Sequence, residues 1–287
     1  MNIRPAITID DCQIAADICH FAMLYQLRNS RAMQTTPPTW TSFPCILDAG
    51  PAPTATIGLI ALASDIVIEP ELRTFLPQTG VGLYTNRIPM PKIVAVDTLR
   101  QMGDSITDVT AGLVPDDHLD VVIYGCTSGS ITIGPERVAA KIHAARPNVA
   151  TTDPISAGLK GLRTLNCQRI ALLTPYIDEV NQLVETYIRG QGFDLAAMGS
   201  FNQVGDPEIS RVPPQAIYDA ALTLGKRNDI DGIFLSCTAL RTSGIIQPLE
   251  DALSKPVVAS NQALTWDALR LSGYSESVHG FGRLLTL

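Results

Sequence analysis

Two short stretches, DVVIYGCT at residues 120–127 and DGIFLSCT at residues 231–238, share one pattern. Each has an aspartate, then a mainly apolar run, then a Cys-Thr pair whose cysteine lies six residues after the aspartate. Short continuous apolar runs are typical of strands buried on both faces of a parallel sheet. The repeat therefore predicts two equivalent buried strands that end at Cys126 and Cys237.

Two further matches flank these stretches at nearly the same spacing. IGLIA at 57–61 corresponds to IALLT at 170–174, an offset of 170 − 57 = 113, against 237 − 126 = 111 for the cysteines. PNVATT at 147–152 corresponds to PVVASN at 256–261, an offset of 256 − 147 = 109. Matches that recur in order at a near-constant offset indicate a duplicated structural unit.

The pattern between the matches predicts the fold class. Apolar runs suited to strands occupy residues 56–62, 80–84, 121–124, 170–173, 232–235 and 256–259, and helical patterns lie between them, as at 135–145 and 177–190. Strands that alternate with helices predict an α/β protein with parallel sheets. We expect residues 54–150 plus 258–287 to form lobe 1 and residues 151–257 to form lobe 2. Residues 1–53, proline-rich towards their end, are predicted to be a helical arm and linker.

Ligands of open α/β sheets bind beyond the carboxyl ends of the strands, which is where both cysteines are expected. Two such lobes facing each other would bring Cys126 and Cys237 into one cleft, with the Thr127 and Thr238 hydroxyls beside them. Two thiols on opposite sides of a carbon suit racemisation, and one thiolate can equally add to a double bond. The alternative is that Cys126 and Cys237 are small buried core residues without a chemical role. We expect the other cysteines to be of this kind, namely Cys12, Cys19, Cys45 and Cys167.

Other classes of function find little support. A net charge of −7 without Lys/Arg runs argues against nucleic acid or an anionic membrane as partners. Neither a secretory signal nor an apolar run of about 20 residues is visible, and the scattered cysteines favour a reducing cytoplasm. Motifs for nucleotides or metals, such as GxGxxG and HExxH, are missing from the sequence. The sequence therefore gives no support for a nucleotide-binding site or a metal site.

The two cysteines lie in the motifs GCTSG at 125–129 and SCTA at 236–239. These motifs resemble those of the aspartate/glutamate racemase superfamily, in its maleate isomerase and arylmalonate decarboxylase branch. A closer likeness to ectoine-utilisation proteins rests on RIPM at 87–90, TPYIDEVN at 174–181, SNQAL at 260–264 and GFGRLL at 280–285. The resemblance implies two pseudo-symmetric flavodoxin-like lobes, an active site in the interlobe cleft and no cofactor.

The resemblance also implies roles for particular residues. In maleate isomerases the first-lobe cysteine is the nucleophile and the second-lobe cysteine its acid/base partner, roles that carry over to Cys126 and Cys237. Tyr176 matches a substrate-contacting tyrosine, and we place Ser128 with Thr127 and Thr238 among the substrate-binding residues. Because the decarboxylases keep only one of the two cysteines, we expect an isomerase, either a racemase/epimerase or a cis-trans isomerase.

The expected substrate is a small carboxylate-bearing compound, on resemblance an ectoine-derived amino acid, and we expect a homo-oligomer. The alternatives are a decarboxylase of the arylmalonate type and a non-catalytic protein that binds a small ligand.

Two positions depart from the maleate isomerase pattern. Ser64-Asp65 stands where those enzymes have Ser-Asn, and Asp206 stands at a second substrate-binding Asn. An Asn amide can donate a hydrogen bond to a carboxylate, whereas an ionised Asp repels it. Asp65 therefore favours a substrate with a cationic group. The alternative interpretations are a loop or helix cap for Asp65 and a turn for Asp206.

Overall fold

A computed structural model describes residues 19–20, 22–24, 40–90 and 96–287. The chain divides into two units, Met1–Asp48 and Ala49–Leu287. In the first unit, residues 19–20 and 22–24 are helical and residues 40–48 are irregular and exposed. Most of the predicted helical arm lies outside the described residues.

The second unit contains two four-stranded parallel sheets. The first has the order β2-β1-β3-β4, with strands β1 Ala55–Leu62, β2 Val81–Ile88, β3 Val121–Gly125 and β4 Ala150–Thr152. The second has the order β6-β5-β7-β8, with strands β5 Arg169–Tyr176, β6 Asp194–Gln203, β7 Gly232–Leu235 and β8 Val257–Ala259. We call the regions around these sheets the first and second lobes. The shared strand order matches the duplication seen in the sequence and confirms the predicted α/β fold.

Helices flank both sheets. Those between the first and fifth strands are α1 Ile68–Phe75, α2 Val96–Met102, α3 Ile106–Ala111, α4 Thr127–Ile133, α5 Pro135–Ala145 and α6 Pro154–Thr164. Those after the fifth strand are α7 Asp178–Gly190, α8 Asp206–Ile209, α9 Pro214–Gly225, α10 Ile246–Leu253 and α11 Ser260–Leu271. Two short 3-10 helices span Gly103–Ser105 and Leu284–Thr286. Within the ranges that the structure describes, no helix combines the length and apolar character needed to cross a bilayer.

One central strand in each sheet is buried along its whole length. All residues of β3 and β7 are buried, which explains why their sequences are continuously apolar rather than alternating. At the start of each strand an aspartate ties two strands together: Asp120 accepts from the Thr56 amide at 2.7 Å and Asp231 from the Arg169 amide at 3.0 Å. The repeated aspartate is therefore structural and sits at the end of the sheet away from the cysteines.

Each lobe sends one helix to the other. α6 follows β4 of the first sheet but contacts β7 and β8 of the second, and α11 follows β8 but contacts β3 and β4. On α6, a side chain at Gly158 would come within 2.6 Å of the Phe234 ring, so only glycine permits this close approach. On α11, Asp267 accepts from Thr152 at 2.6 Å and from Lys160 at 2.5 Å. Both exchanged helices, α6 and α11, begin close to the predicted lobe boundaries. The exact residues of those boundaries remain a prediction.

Candidate active site

Cys126 lies where β3 ends and α4 begins. Its backbone has an extended conformation, and its Sγ accepts the Gly129 amide at 3.2 Å, so the cysteine itself caps the helix. The Ser128 hydroxyl lies 3.8 Å from the same sulfur. Burial raises the pKa of this thiol to about 12, the Gly129 amide opposes the rise, and the negative charge of Asp206 adds to it.

Cys237 occupies the equivalent end of β7, with a different local structure. No helix begins directly after it, because a turn-rich loop leads to α10. Its Sγ accepts the Ala239 amide at 3.4 Å. Burial again raises the pKa of the thiol, while a hydrogen bond from Tyr176 lowers it. Both sulfurs therefore have a backbone N–H partner within their own lobe.

The loop after Cys237 is held by a side chain of the first lobe. Glu71 of α1 is 6% exposed and reaches across to this loop. Its carboxylate accepts the Thr242 amide at 3.0 Å, the Thr242 hydroxyl at 2.8 Å and the Ser243 amide at 2.9 Å. Because these donors are buried or partly buried, Glu71 fixes the loop of one lobe against the helix of the other.

The two thiols line one cleft between the lobes. The described residues of its wall are Leu62, Met90, Cys126, Thr127, Ser128, Tyr176, Ile177, Val180, Gln203, Val204, Asp206, Ile209, Cys237 and Thr238. Among them the charged side chain is Asp206, and hydroxyls come from Thr127, Ser128, Tyr176 and Thr238. The cleft thus combines two thiols, a carboxyl and several neutral donors.

The sequence prediction did not single out the apolar wall or Gln203. Leu62 and Gln203 end strands, a position that signals proximity to ligands, but Met90, Ile177 and Ile209 carry no such signal.

Tyr176 lies at the end of β5, between the two lobes. Burial raises the pKa of its hydroxyl well above the usual value, and the neighbouring Cys237 and Cys126 raise it further. The threonines beside the cysteines face the other lobe: Thr238 Oγ1 donates to the Gly125 carbonyl at 3.5 Å, and Thr127 Oγ1 lies 3.4 Å from Ser260 Oγ. The Thr238 contact therefore joins the two cysteine segments, whereas the Thr127 contact joins the Cys126 segment to the start of α11.

Asp206 and Ser64 bridge the lobes. Asp206 begins α8 of the second lobe and accepts the Ser64 hydroxyl, from the loop after β1, at 2.5 Å. Burial raises the pKa of Asp206 and the Ser64 hydrogen bond lowers it. Asp206 thus contacts the opposite lobe and lines the cleft, in addition to forming the start of a short helix.

Asp65 is placed differently from Asp206. It is fully buried and is not part of the cleft wall. Its Oδ1 accepts the Val67 and Ile68 amides at 2.7 and 2.9 Å, which is the helix-capping role given above as the alternative interpretation. Its Oδ2 has no hydrogen-bond partner, and burial raises its pKa. A direct contact between Asp65 and substrate remains a prediction.

The remaining cysteines fall into two groups. Cys167 is buried in the second lobe, as expected for a small core residue. Cys19 and Cys45 are exposed, so the prediction that they are buried is wrong. Both belong to the unit Met1–Asp48, outside the lobes whose cores would have enclosed them. Cys12 lies outside the described residues.

Known proteins share this fold and part of this sequence. A family model for arylmalonate decarboxylase matches residues 121–285. The arylmalonate decarboxylase of Bordetella bronchiseptica is 30% identical over 242 residues, 81% of this chain and 97% of that protein. The crystal structure of the maleate isomerase Iso from Pseudomonas putida S16 superposes with a TM-score of 0.74 at 22% identity, covering 81% of this chain and 98% of the other.

A second solved structure has the same fold. It is the maleate cis-trans isomerase of Nocardia farcinica with a covalently bound succinylcysteine intermediate, with a TM-score of 0.73 at 22% identity, covering 81% of this chain and 98% of the other. Fold and sequence together define a member of the aspartate/glutamate racemase superfamily, in the branch of maleate isomerases and arylmalonate decarboxylases. Within that branch, the chain belongs to the arylmalonate decarboxylase family.

Proposed function

We propose that this protein is a cofactor-independent isomerase that uses Cys126 and Cys237 on a small carboxylate compound that also carries a cationic group. The observation that carries the proposal is that thiols from both lobes line the same cleft. Each thiol has its own N–H partner, so each can hold a proton or lose it without rearrangement of its loop. Two acid/base groups on opposite sides of a bound molecule are what inversion or isomerisation requires.

Two routes use this geometry. In a racemase, one thiolate removes the proton from the stereocentre and the opposite thiol returns a proton to the other face. In a cis-trans isomerase, Cys126 adds to the double bond, the resulting single bond rotates, and the Cys126 sulfur leaves. The succinylcysteine intermediate of the Nocardia farcinica relative supports the second route by analogy.

A decarboxylase is the second candidate, because the Bordetella bronchiseptica relative is an arylmalonate decarboxylase. A decarboxylase would release CO₂ as one of its products. Protonation after loss of CO₂ needs one proton donor, whereas the cleft offers two thiols, and this second thiol favours the isomerase.

The polar groups of the cleft suggest how such a substrate would bind. Thr127 and Ser128 can donate hydroxyl hydrogens to a substrate carboxylate, and Thr238 could do so if its hydroxyl turned away from the Gly125 carbonyl. Asp206 can accept from an ammonium or amidinium group, and pairing with that cation would favour the ionised carboxylate. Ectoine-derived amino acids meet both requirements, since they combine a carboxylate with an amino or amidine group. Their assignment as substrates rests on the resemblance of the sequence to ectoine-utilisation proteins.

Solvent isotope exchange tests the proposal. Ectoine-derived amino acids and maleate are incubated with the enzyme in D₂O, and the products are followed by NMR and by CO₂ release. We expect isomer formation without CO₂, with deuterium at the stereocentre in the racemase route or a trappable Cys126 adduct in the addition route. Stoichiometric CO₂ would instead establish the decarboxylase, and binding without turnover of any compound would support a binding protein.

Replacing Asp206 by asparagine should change substrate preference. We expect Asp206→Asn to raise KM for a cationic substrate about tenfold or more, since a hydrogen bond to a charged group contributes roughly 1.5 to 3 kcal/mol. The change should also lower the pKa of Cys126, because the Asp206 charge helps to raise it, so the rising limb of the pH–rate profile moves to lower pH. Steady-state kinetics across pH on cationic and dicarboxylate substrates measure both effects.

Glu208→Gln provides the matched control, because Glu208 is in the same short helix but outside the cleft wall. It removes a carboxylate that does not line the cleft, so it should leave KM within about twofold. Equal losses in the two variants would contradict a direct role for Asp206 in recognising a cation.

A further inference from the structure

A tyrosine under the Cys126 loop has no role in the reaction described so far. Tyr124 is in β3, two residues before Cys126, and is fully buried. Its hydroxyl has no hydrogen-bond partner. Buried hydroxyls are nearly always paired, and leaving one unpaired is unfavourable, so this hydroxyl requires an explanation.

The Tyr124 hydroxyl and the Cys126 sulfur lie against the same glycine. A Cβ built on Gly129 would be 2.8 Å from the Tyr124 oxygen and 2.9 Å from the Cys126 sulfur. The two atoms are therefore at most 2.8 + 2.9 = 5.7 Å apart. The missing side chain at Gly129 leaves room for both atoms beside the backbone N–H that the sulfur accepts.

We propose that Tyr124 is a positioning residue that directs its O–H towards Cys126 and stabilises the thiolate when it forms. The inference rests on the proposed function, in which Cys126 must lose its proton. In the thiol state the sulfur has the Gly129 N–H as its backbone partner. A thiolate is a stronger acceptor, and in a buried site a nearby O–H dipole stabilises its charge more than it would in water.

The surroundings of both groups fit this role. Two carboxyl groups, Asp206 and Asp65, raise the pKa of the Cys126 thiol, and a buried O–H donor near the sulfur would offset them. Cys237 and Tyr176 face it from the second lobe.

Tyr124 itself is protected from ionisation. Burial raises its pKa, and the charges of Cys126 and Asp153 raise it further. Asp153 is occupied in capping α6, where it accepts the Ile155 and Ser156 amides at 3.1 Å each. Tyr124 therefore stays a neutral donor and does not act as a base.

Alkylation of the two cysteines tests the inference without any substrate. Wild-type and Tyr124→Phe proteins are treated with iodoacetamide at several pH values, and the modification of each cysteine is followed by peptide mass spectrometry. Below the thiol pKa, the rate is proportional to the thiolate fraction. We expect Cys126 to react about tenfold more slowly in Tyr124→Phe, corresponding to a pKa about one unit higher. Cys237 should react at its wild-type rate.

Thr85→Val is the matched control, since Thr85 Oγ1 is another buried hydroxyl without a partner, on β2. It should leave both cysteine rates unchanged. An unchanged Cys126 rate in Tyr124→Phe would overturn the inference, as would a variant that unfolds, because the hydroxyl would then carry a structural bond. The outcome is independent of the reaction catalysed: a decarboxylase or a binding protein could still show the slowed Cys126, and an isomerase could fail to show it.

Discussion

Cys126→Ser should reduce kcat by about 10³-fold or more, a loss in the range attributed to acid/base and nucleophilic groups. Serine occupies nearly the same volume and can keep the Gly129 N–H contact. Its hydroxyl is a much weaker acid than a thiol, and no histidine lies in the described wall of the cleft to act as a base. Initial rates of isomer formation on the substrate identified by the D₂O experiment measure the effect.

Cys167→Ser is the control for thiol loss in general. Cys167 is buried, but its sulfur faces the Asp231 carbonyl at 3.6 Å, at the end of the sheet away from the cleft. This variant should keep kcat within about twofold. Cys237→Ser should be impaired as well, by less than Cys126→Ser if Cys237 only returns a proton. Wild-type turnover by the Cys126→Ser/Cys237→Ser double variant would show that neither thiol takes part in the reaction.

Glu71→Ala should destabilise the protein by about 3 kcal/mol. The substitution leaves the Thr242 amide, the Thr242 hydroxyl and the Ser243 amide without their common acceptor. A buried donor that loses its partner typically costs about 1 to 3 kcal/mol of stability. Water that enters the space left by the Glu71 side chain can pair with some of the three donors, so the total cost is less than three times that of one donor. For a body of this size we expect Tm to fall by roughly 6 to 12 °C, measured by calorimetry or circular dichroism.

Glu69→Ala is the matched control on the same helix. Glu69 pairs with Arg73 at 3.1 Å and with Arg87 at 3.3 Å, but these arginine side chains are 55% and 40% exposed. Exposed ion pairs contribute at most about 1 kcal/mol, so Tm should change little. Glu71→Gln should fall between the two, because its remaining carbonyl oxygen can still accept. If Glu71→Ala and Glu69→Ala have the same Tm, the hydrogen bonds of Glu71 between the lobes do not stabilise the fold.

The fold could be predicted from sequence where burial leaves a continuous apolar run. The central strands β1, β3, β5 and β7 were predicted for this reason, and β2 and β8 with them. The edge strand β6 was missed, because its residues are mostly half-exposed and include Gly199, Ser200 and Asn202, which are poor strand formers. β4 was missed because it has only three residues.

The sequence predicted the two cysteines of the site but not the roles of the residues around them. The repeat identified Cys126 and Cys237, since equivalent strand ends in two facing lobes converge on one cleft. It could not separate Asp206, which lines that cleft, from Asp65, which caps a helix, because an aspartate at the end of a strand suits either role. Tyr124 and Glu71 act through contacts with Gly129 and with the Thr242 loop. Such tertiary contacts leave no periodic signal in the sequence.

The exchange of α6 and α11 between the lobes bears on how the duplication arose. Two equivalent units that each pack a helix on the other have the arrangement of a domain-swapped dimer joined into one chain. A single ancestral unit would have completed its core only by pairing with a second copy. The symmetry axis of that pair would pass between the positions now held by Cys126 and Cys237. Each ancestral copy would then have contributed one half of an identical site, and joining the two copies in one chain would have allowed the two halves to diverge.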